Sequence, residues 1–391
     1  MASFPSKSAV SPRVSSRRFH DVWALGAVLG ATWLGGCGGP EGLPVDAAGV
    51  GETAQEIVGG TNAAITDFPW QASLRNADGS HFCGGAILGP WYVLTAQHCV
   101  VGKNPGTMSL GAGSTTRSTM ASTGQVVQVA DFLLYPGYNS STIDKDVALL
   151  RLASPLTLNT ATVKGITMAT AADVAAGRTN VGVIATATGW GITVQGGTPP
   201  DGLRKVEMAI VSEGPSGFEP LTEYQLATGG VANEGACHGD SGGPVVVNGA
   251  SGRILAGLSS WGSASCARAG FPSVSARVSA IEPWVTNIRN RPVNHRLAEV
   301  LSVPAGTGWA HYAITVAAGT PSLNAQLVGG TGEADLYVHS ATPTTSTYTC
   351  RSNRSGNAEY CAIPSPAAGT WYASVRSVSG VSNTALRVTT Y

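Results

Sequence analysis

Between Ile57 and about Trp284 the chain repeats short runs of alternating apolar residues, each closed by turn residues. Gln125 to Val129, Val147 to Leu152, Val183 to Thr188, Val245 to Val247 and Ile254 to Ser259 are examples. A period of two puts every second side chain on one face, which suits a half-buried strand. The 51 glycines and the plentiful Ser, Thr and Val favour strands and turns over helices. The pattern predicts an all-β barrel or sandwich domain. Ile281 to Ile288 (IEPWVTNI) is expected to close it as a short helix, and the polar stretch Arg289 to His295 reads as a linker. From Arg296 a second β-rich segment runs to Tyr391, a normal size for one small domain.

Charge excludes some functions. Lys plus Arg number 23 and Asp plus Glu number 23, and charged residues make up 12% of the chain. There is no basic stripe for nucleic acid and no acidic tail. No close Cys-x-x-Cys and no histidine pair at helical spacing appear, so no metal site or cofactor is expected.

The N-terminus reads as an export signal. Arg13, Arg17 and Arg18 precede an apolar run from Val22 to Leu34, too short to span a bilayer comfortably. The run ends in Leu34-Gly35-Gly36-Cys37. Small residues before a cysteine resemble the lipobox of bacterial lipoprotein signals, in which Cys37 would be lipidated. The other reading is an ordinary secretory signal cleaved near Gly36. Both export the protein and permit disulfides. Seven cysteines are present, and setting Cys37 aside leaves six. The Gly-, Pro- and Ala-rich stretch 38–56 lacks periodicity and reads as a propeptide or linker.

One serine stands out. Ser241 lies in Gly239-Asp240-Ser241-Gly242-Gly243-Pro244, where dense glycine suggests a backbone bent to present a hydroxyl. A serine needs a base within hydrogen-bond reach, and the base needs an orienting group. His98, in Leu94-Thr95-Ala96-Gln97-His98-Cys99, and Asp146, in Asp146-Val147-Ala148-Leu149-Leu150, are the candidates. Taken singly, an Asp before a strand is ordinarily a turn residue, and a His beside Cys is often structural.

With Ile57-Val58-Gly59-Gly60, Gly189-Trp190-Gly191 and Ser260-Trp261-Gly262, these motifs resemble, in order, the chymotrypsin family of serine proteases, from Ile57 to about Ile288. Gln97 departs from the family's usual Ala. The resemblance implies a double six-stranded β-barrel and a serine endopeptidase. In it Ser241 attacks the scissile carbonyl, His98 moves the proton and Asp146 holds the imidazole, the three acting as one triad. The N–H groups of Gly239 and Ser241 would form the oxyanion hole. Ser260, Trp261 and Gly262 would pair with substrate backbone as an added strand. Cys83 would bond Cys99, and Cys237 would bond Cys266; a further bridge of many relatives is absent.

The resemblance also implies a zymogen. Cleavage between Glu56 and Ile57 would free an amine to pair with Asp240. A lipid on Cys37 would then stay with the propeptide, so activation would release the protease from the membrane. Gly235 would floor the specificity pocket, where trypsin-like enzymes carry Asp, so cleavage after Lys or Arg is disfavoured. Gly262 leaves the mouth open, Ser273 adds a small polar wall, and His238 lies at the rim. The pocket is expected to be neutral, with room for a medium or large apolar side chain. If His238 or Ser273 met a carboxylate, the enzyme would prefer Glu and cut itself after Glu56; otherwise a separate protease activates it.

Gly330-Thr331-Gly332-Glu333-Ala334-Asp335-Leu336-Tyr337-Val338 leads into Cys350 and Cys361, followed by Ala368-Gly369-Thr370-Trp371-Tyr372. This resembles the bacterial pre-peptidase C-terminal domain, a small β-sandwich, and implies a Cys350–Cys361 bridge. Three roles stay open: polymer or matrix binding through Tyr337, Tyr348 and Trp371; those aromatics as core; or removal during maturation. Asp335 alone falls short of a calcium site.

The expected layout is a signal peptide at 1–36, a propeptide at 37–56, the protease domain at 57–288, a linker at 289–296 and the C-terminal domain at 297–391. Partners are protein or peptide substrates, an activating protease, and a matrix or polymer, with no nucleic acid and with a membrane only through the lipid. The location is extracellular or, for a lipoprotein precursor, outer-membrane or periplasmic. The competing reading is a matrix-adhesion protein whose protease domain is mainly a scaffold.

Overall fold

The computed structural model describes residues 57–194, 196–212, 220–304 and 308–391. The expected signal peptide, the propeptide and Cys37 lie outside the described residues.

The alternating runs form two barrels. In the first, Gln71–Arg75, His81–Ile87, Tyr92–Thr95, Ala148–Leu152, Gln125–Leu134 and Ser109–Ala112 close on one another, each pair antiparallel. In the second, the ring runs Arg204–Val211, Gln225–Thr228, Ser273–Arg277, Gly252–Trp261, Pro244–Gly249 and Ile184–Gly189, which pairs back onto Arg204–Val211. Closure removes the open edges that would otherwise invite pairing with other chains. The core follows from alternation: in Arg204–Val211, Val206, Met208 and Ile210 are buried while Glu207 is exposed.

A helix, Val278–Arg289, closes the second barrel. It begins three residues before the expected Ile281, because Val278 is already part of its inward stripe with Ile281, Val285 and Ile288. The helix runs through Arg289, and the next strand starts at Asn294, which pairs with Thr390.

The C-terminal domain has seven strands folded over one apolar core. Its organising element is Gly369–Thr390, 22 residues long. The first part of that strand pairs with Trp309–Val316 and Thr331–His339, and the last part with Asn294–Val303 and Ser322–Val328. Tyr337 and Trp371 are buried, at 0% and 6% exposure, so these two are core residues; Tyr348 stays exposed. Cys350 bonds Cys361.

This domain packs against the first barrel. Phe132 N–H donates to Tyr360 Oη at 2.8 Å, and the two rings meet edge to face. Asn324 Nδ2 donates to Phe132 O at 3.2 Å. The apolar core of the first barrel takes in Tyr360 and Tyr391. Burial pushes the Asp131 carboxyl above its ordinary range, and Tyr391, Asn324 and Tyr360 act against that by hydrogen bonding.

Candidate active site

The site is assembled from one turn, one strand entry and one bend. His98 sits in the short turn Gln97–Cys99 that follows the strand Tyr92–Thr95. The Cys83–Cys99 disulfide fastens that turn to the neighbouring strand. Gln97 is buried, and its Oε1 accepts from Tyr135 N–H at 3.1 Å, which gives the departure from Ala a bonded role beside His98.

Asp146 enters the strand Ala148–Leu152 and is 1% exposed. Its Oδ1 accepts from His98 N–H at 2.8 Å, and its Oδ2 lies 2.7 Å from His98 Nδ1. Ser260 Oγ donates to the same Oδ2 at 2.5 Å. A buried carboxylate with these donors holds His98 with its proton on Nδ1. Nε2 is then left as the acceptor, facing the cleft. The Asp146 bond of Ser260 was not legible in the sequence, where Ser260 reads as a substrate-pairing residue.

Ser241 lies on a tight bend. Asp240 N–H donates to Cys237 O, Gly243 N–H to Asp240 O, and Gly242 N–H to Ser259 O. Gly242 has φ +75°, and a Cβ there would sit 2.1 Å from Thr95 Oγ1, so the sharp presentation of Ser241 requires glycine. His98 and Ser241 line the same cavity, of about 460 Å³. Among the described residues no hydrogen bond joins Nε2 to the Ser241 hydroxyl, a contact that in such sites commonly tightens when substrate binds.

Gly239 and Ser241 N–H have no acceptor among the described residues. The Gly239 carbonyl is held from behind. His81 Nε2 lies 2.9 Å from it, and His81 Nδ1 lies 2.8 Å from Ser73 Oγ. Only a donor serves the carbonyl, so the proton is on Nε2 and Nδ1 accepts from Ser73. Burial pushes His81 down to about 4, which keeps it neutral in this role. Sequence reasoning missed His81, because its partner lies 158 residues away.

Asp240 is buried behind the bend. Its Oδ1 accepts from Gly191 N–H at 2.8 Å and its Oδ2 from Cys237 N–H at 2.9 Å. A Cβ on Gly189 or Gly191 would lie 2.2 or 2.5 Å from this carboxyl group. The Gly-Trp-Gly motif is therefore the seat of Asp240. Burial pushes Asp240 up to about 6, and no cation pairs with it among the described residues. Ile57 is 1% exposed and belongs to the core of the second barrel; Val58 packs with Ile192 and Cys237.

The cavity wall includes Ala236, Cys237, His238, Ser260, Trp261, Gly262, Cys266 and Ser273. Cys237 bonds Cys266. Gly235 is buried next to it, and a Cβ there would meet Ser273 Oγ at 3.3 Å. Among the described residues no Asp, Glu, Lys or Arg lines the cavity.

Two closed six-stranded barrels with a serine and an aspartate-held histidine on one cleft define a serine-type endopeptidase. Comparison with protein-family models matches residues 57–285 to trypsin and residues 310–377 to the bacterial pre-peptidase C-terminal domain. The chain belongs to the trypsin family and carries this C-terminal domain behind the protease. Trypsin alpha-4 of Lucilia cuprina is 38% identical over 236 residues, 59% of this chain and 86% of that protein. Trypsin-1 of Astacus astacus is 34% identical over 240 residues, 59% of this chain and 98% of that protein.

Proposed function

We propose that Ser241 is the nucleophile of an exported endopeptidase, with His98 as its base and Asp146 as the group that orients His98. Ser241 Oγ attacks the scissile carbonyl while Nε2 of His98 takes its proton. The tetrahedral oxyanion is received by the N–H groups of Gly239 and Ser241. As it collapses to the acyl-enzyme, His98 returns the proton to the leaving amine; water then repeats the sequence in reverse. The observation that carries this reading is the fixing of His98 by Asp146 at 2.7 Å in the cleft that also contains Ser241.

The relatives are named trypsins, but the preference for Lys or Arg does not transfer. Gly235 stands where such an enzyme needs a carboxylate, and no lining residue replaces it. The chain is made as a precursor, with residues 1–36 and 37–56 removed, and it is activated by the cut between Glu56 and Ile57. The freed amine pairs with Asp240, whose buried carboxyl has no cation partner among the described residues. The protease domain spans 57–288 and the C-terminal domain 297–391. The three disulfides suit an oxidising compartment. A lipid on Cys37 would stay with the propeptide.

Fluorophosphonate labelling tests the assignment. The protein with Ile57 as its free N-terminus is expected to label at Ser241, and Ser241→Ala to remain unlabelled. Labelling that survives Ser241→Ala would overturn it.

A further inference from the structure

The floor of the cavity is decided by strand register. Ser273 and Ser275 lie two apart on Ser273–Arg277 and so face the same side. Ser259 stands directly across from Ser275, and Thr228 directly across from Ser273. Four hydroxyl side chains therefore form one patch, and all four line the cavity. A register shift between Ser259 and Trp261 separates two neighbours: Ser259 faces the patch, while Ser260 reaches Asp146.

Thr228 Oγ1 has a long bond to Ser273 O, at 3.5 Å. The hydroxyls of Ser259, Ser273 and Ser275 bond no other group among the described residues. Ser259 and Ser275 are only 6% and 2% exposed. These hydroxyls open onto the cavity, and a purely apolar occupant would cover them without offering a partner, which is costly. Above them the walls are small or apolar: Ala236, Gly262, Trp261 and the Cys237–Cys266 bridge. Among the described residues the lining side chains able to carry a positive charge are His98 and the exposed His238, and none is Asp or Glu. A charged head at the floor would be buried without a counter-ion.

Given that Ser241 acts as proposed, we propose that this pocket selects substrates whose residue before the cut has an apolar stem and a neutral hydrogen-bonding head, tyrosine above all and glutamine next. A phenol both donates and accepts, and hydroxyls answer in both senses. Ser259, Ser273 and Ser275 are the specificity-determining residues. The expected apolar preference is thereby sharpened to one that discriminates Tyr from Phe.

The experiment uses the full chain with Ile57 freed, titrated with a fluorophosphonate so that rates are per active Ser241. Fluorogenic peptides differ only at the residue before the cut: Tyr, Phe, Gln, Glu or Lys. Expected kcat/KM for Tyr exceeds that for Phe by about tenfold, and Gln exceeds Glu and Lys by at least as much. Ser275→Ala is expected to erase most of the Tyr-over-Phe ratio; Ser259→Ala is the second variant should the first not fold. Phe equal to Tyr, or Glu or Lys as the best residue, overturns the proposal with the catalytic reading intact. Labelled Ser241 with none of the peptides cleaved overturns it likewise. If Ser241 does not label, the catalytic reading falls and this proposal falls with it.

Discussion

Tyr391 Oη donates to Asp131 Oδ2 at 2.5 Å, across the contact between the C-terminal domain and the first barrel. Beside it Tyr360 Oη accepts from Phe132 N–H. These are buried polar groups of both domains that satisfy one another. Removing one side leaves the other unmet, at about 1–3 kcal/mol for each group. Tyr360→Phe and Tyr391→Phe are each expected to lower the melting temperature, and removal of residues 297–391 to lower it further. A protease domain that melts unchanged after that truncation would show the contact to be idle.

The uncut precursor carries two buried groups with opposite pH trends. Asp240 is raised to about 6, so the stability it confers is full below its ordinary 3.8 and is lost as pH rises through about 6. His81 is lowered from 6.5 to about 4, so its contribution is present above 6.5 and is lost as pH falls through about 4. Each shift amounts to roughly 3 kcal/mol, and the two nearly offset between pH 4 and 7. Denaturant titrations of inert Ser241→Ala precursor are expected to be nearly flat in that window. Asp240→Asn should make stability rise with pH, and His81→Gln should make it fall. Once Ile57 is free, its amine favours the charged carboxylate, and the downward trend due to Asp240 should disappear.

His81 acts through Gly239. His81→Ala removes the donor that fixes the Gly239 carbonyl and is expected to lower kcat by about a hundredfold, the scale of a lost oxyanion-hole donor, with KM little changed. His81→Gln restores a donor and should recover much of the rate. A KM effect without a kcat effect would assign His81 to substrate binding instead.

Asp146→Asn is expected to lower kcat by about ten-thousandfold, because an amide no longer fixes the Nδ1–H tautomer. Ser260→Ala removes a single donor from that carboxylate and should cost about tenfold, with an altered acidic limb of the pH–rate profile. An unaltered profile would leave Ser260 as a backbone contact alone.

The all-β class and the Ser241, His98 and Asp146 motifs were legible because each sits in a short local pattern. The reason for Gly189-Trp190-Gly191 was not, since it depends on where the Asp240 carboxyl lies. The hydroxyl patch depends on register between Gly252–Trp261, Gln225–Thr228 and Ser273–Arg277, which no one strand encodes. For Tyr337 and Trp371 the sequence leaves both core and exposed binding aromatics open, and only the sheet, which folds them inward, decides. The interdomain bonds join residues 192 to 260 apart, such as Phe132 and Asn324 or Asp131 and Tyr391, and leave no local trace.

The strand Gly369–Thr390 is the shared partner of four others. A bond hydrolysed within it would deprive all four of their neighbour in one event, and would also loosen the seat of Tyr391. Such a domain resists digestion as a unit and fails as a unit. A limited digest should accordingly pass from intact chain to bare double barrel without a ladder of intermediate trims.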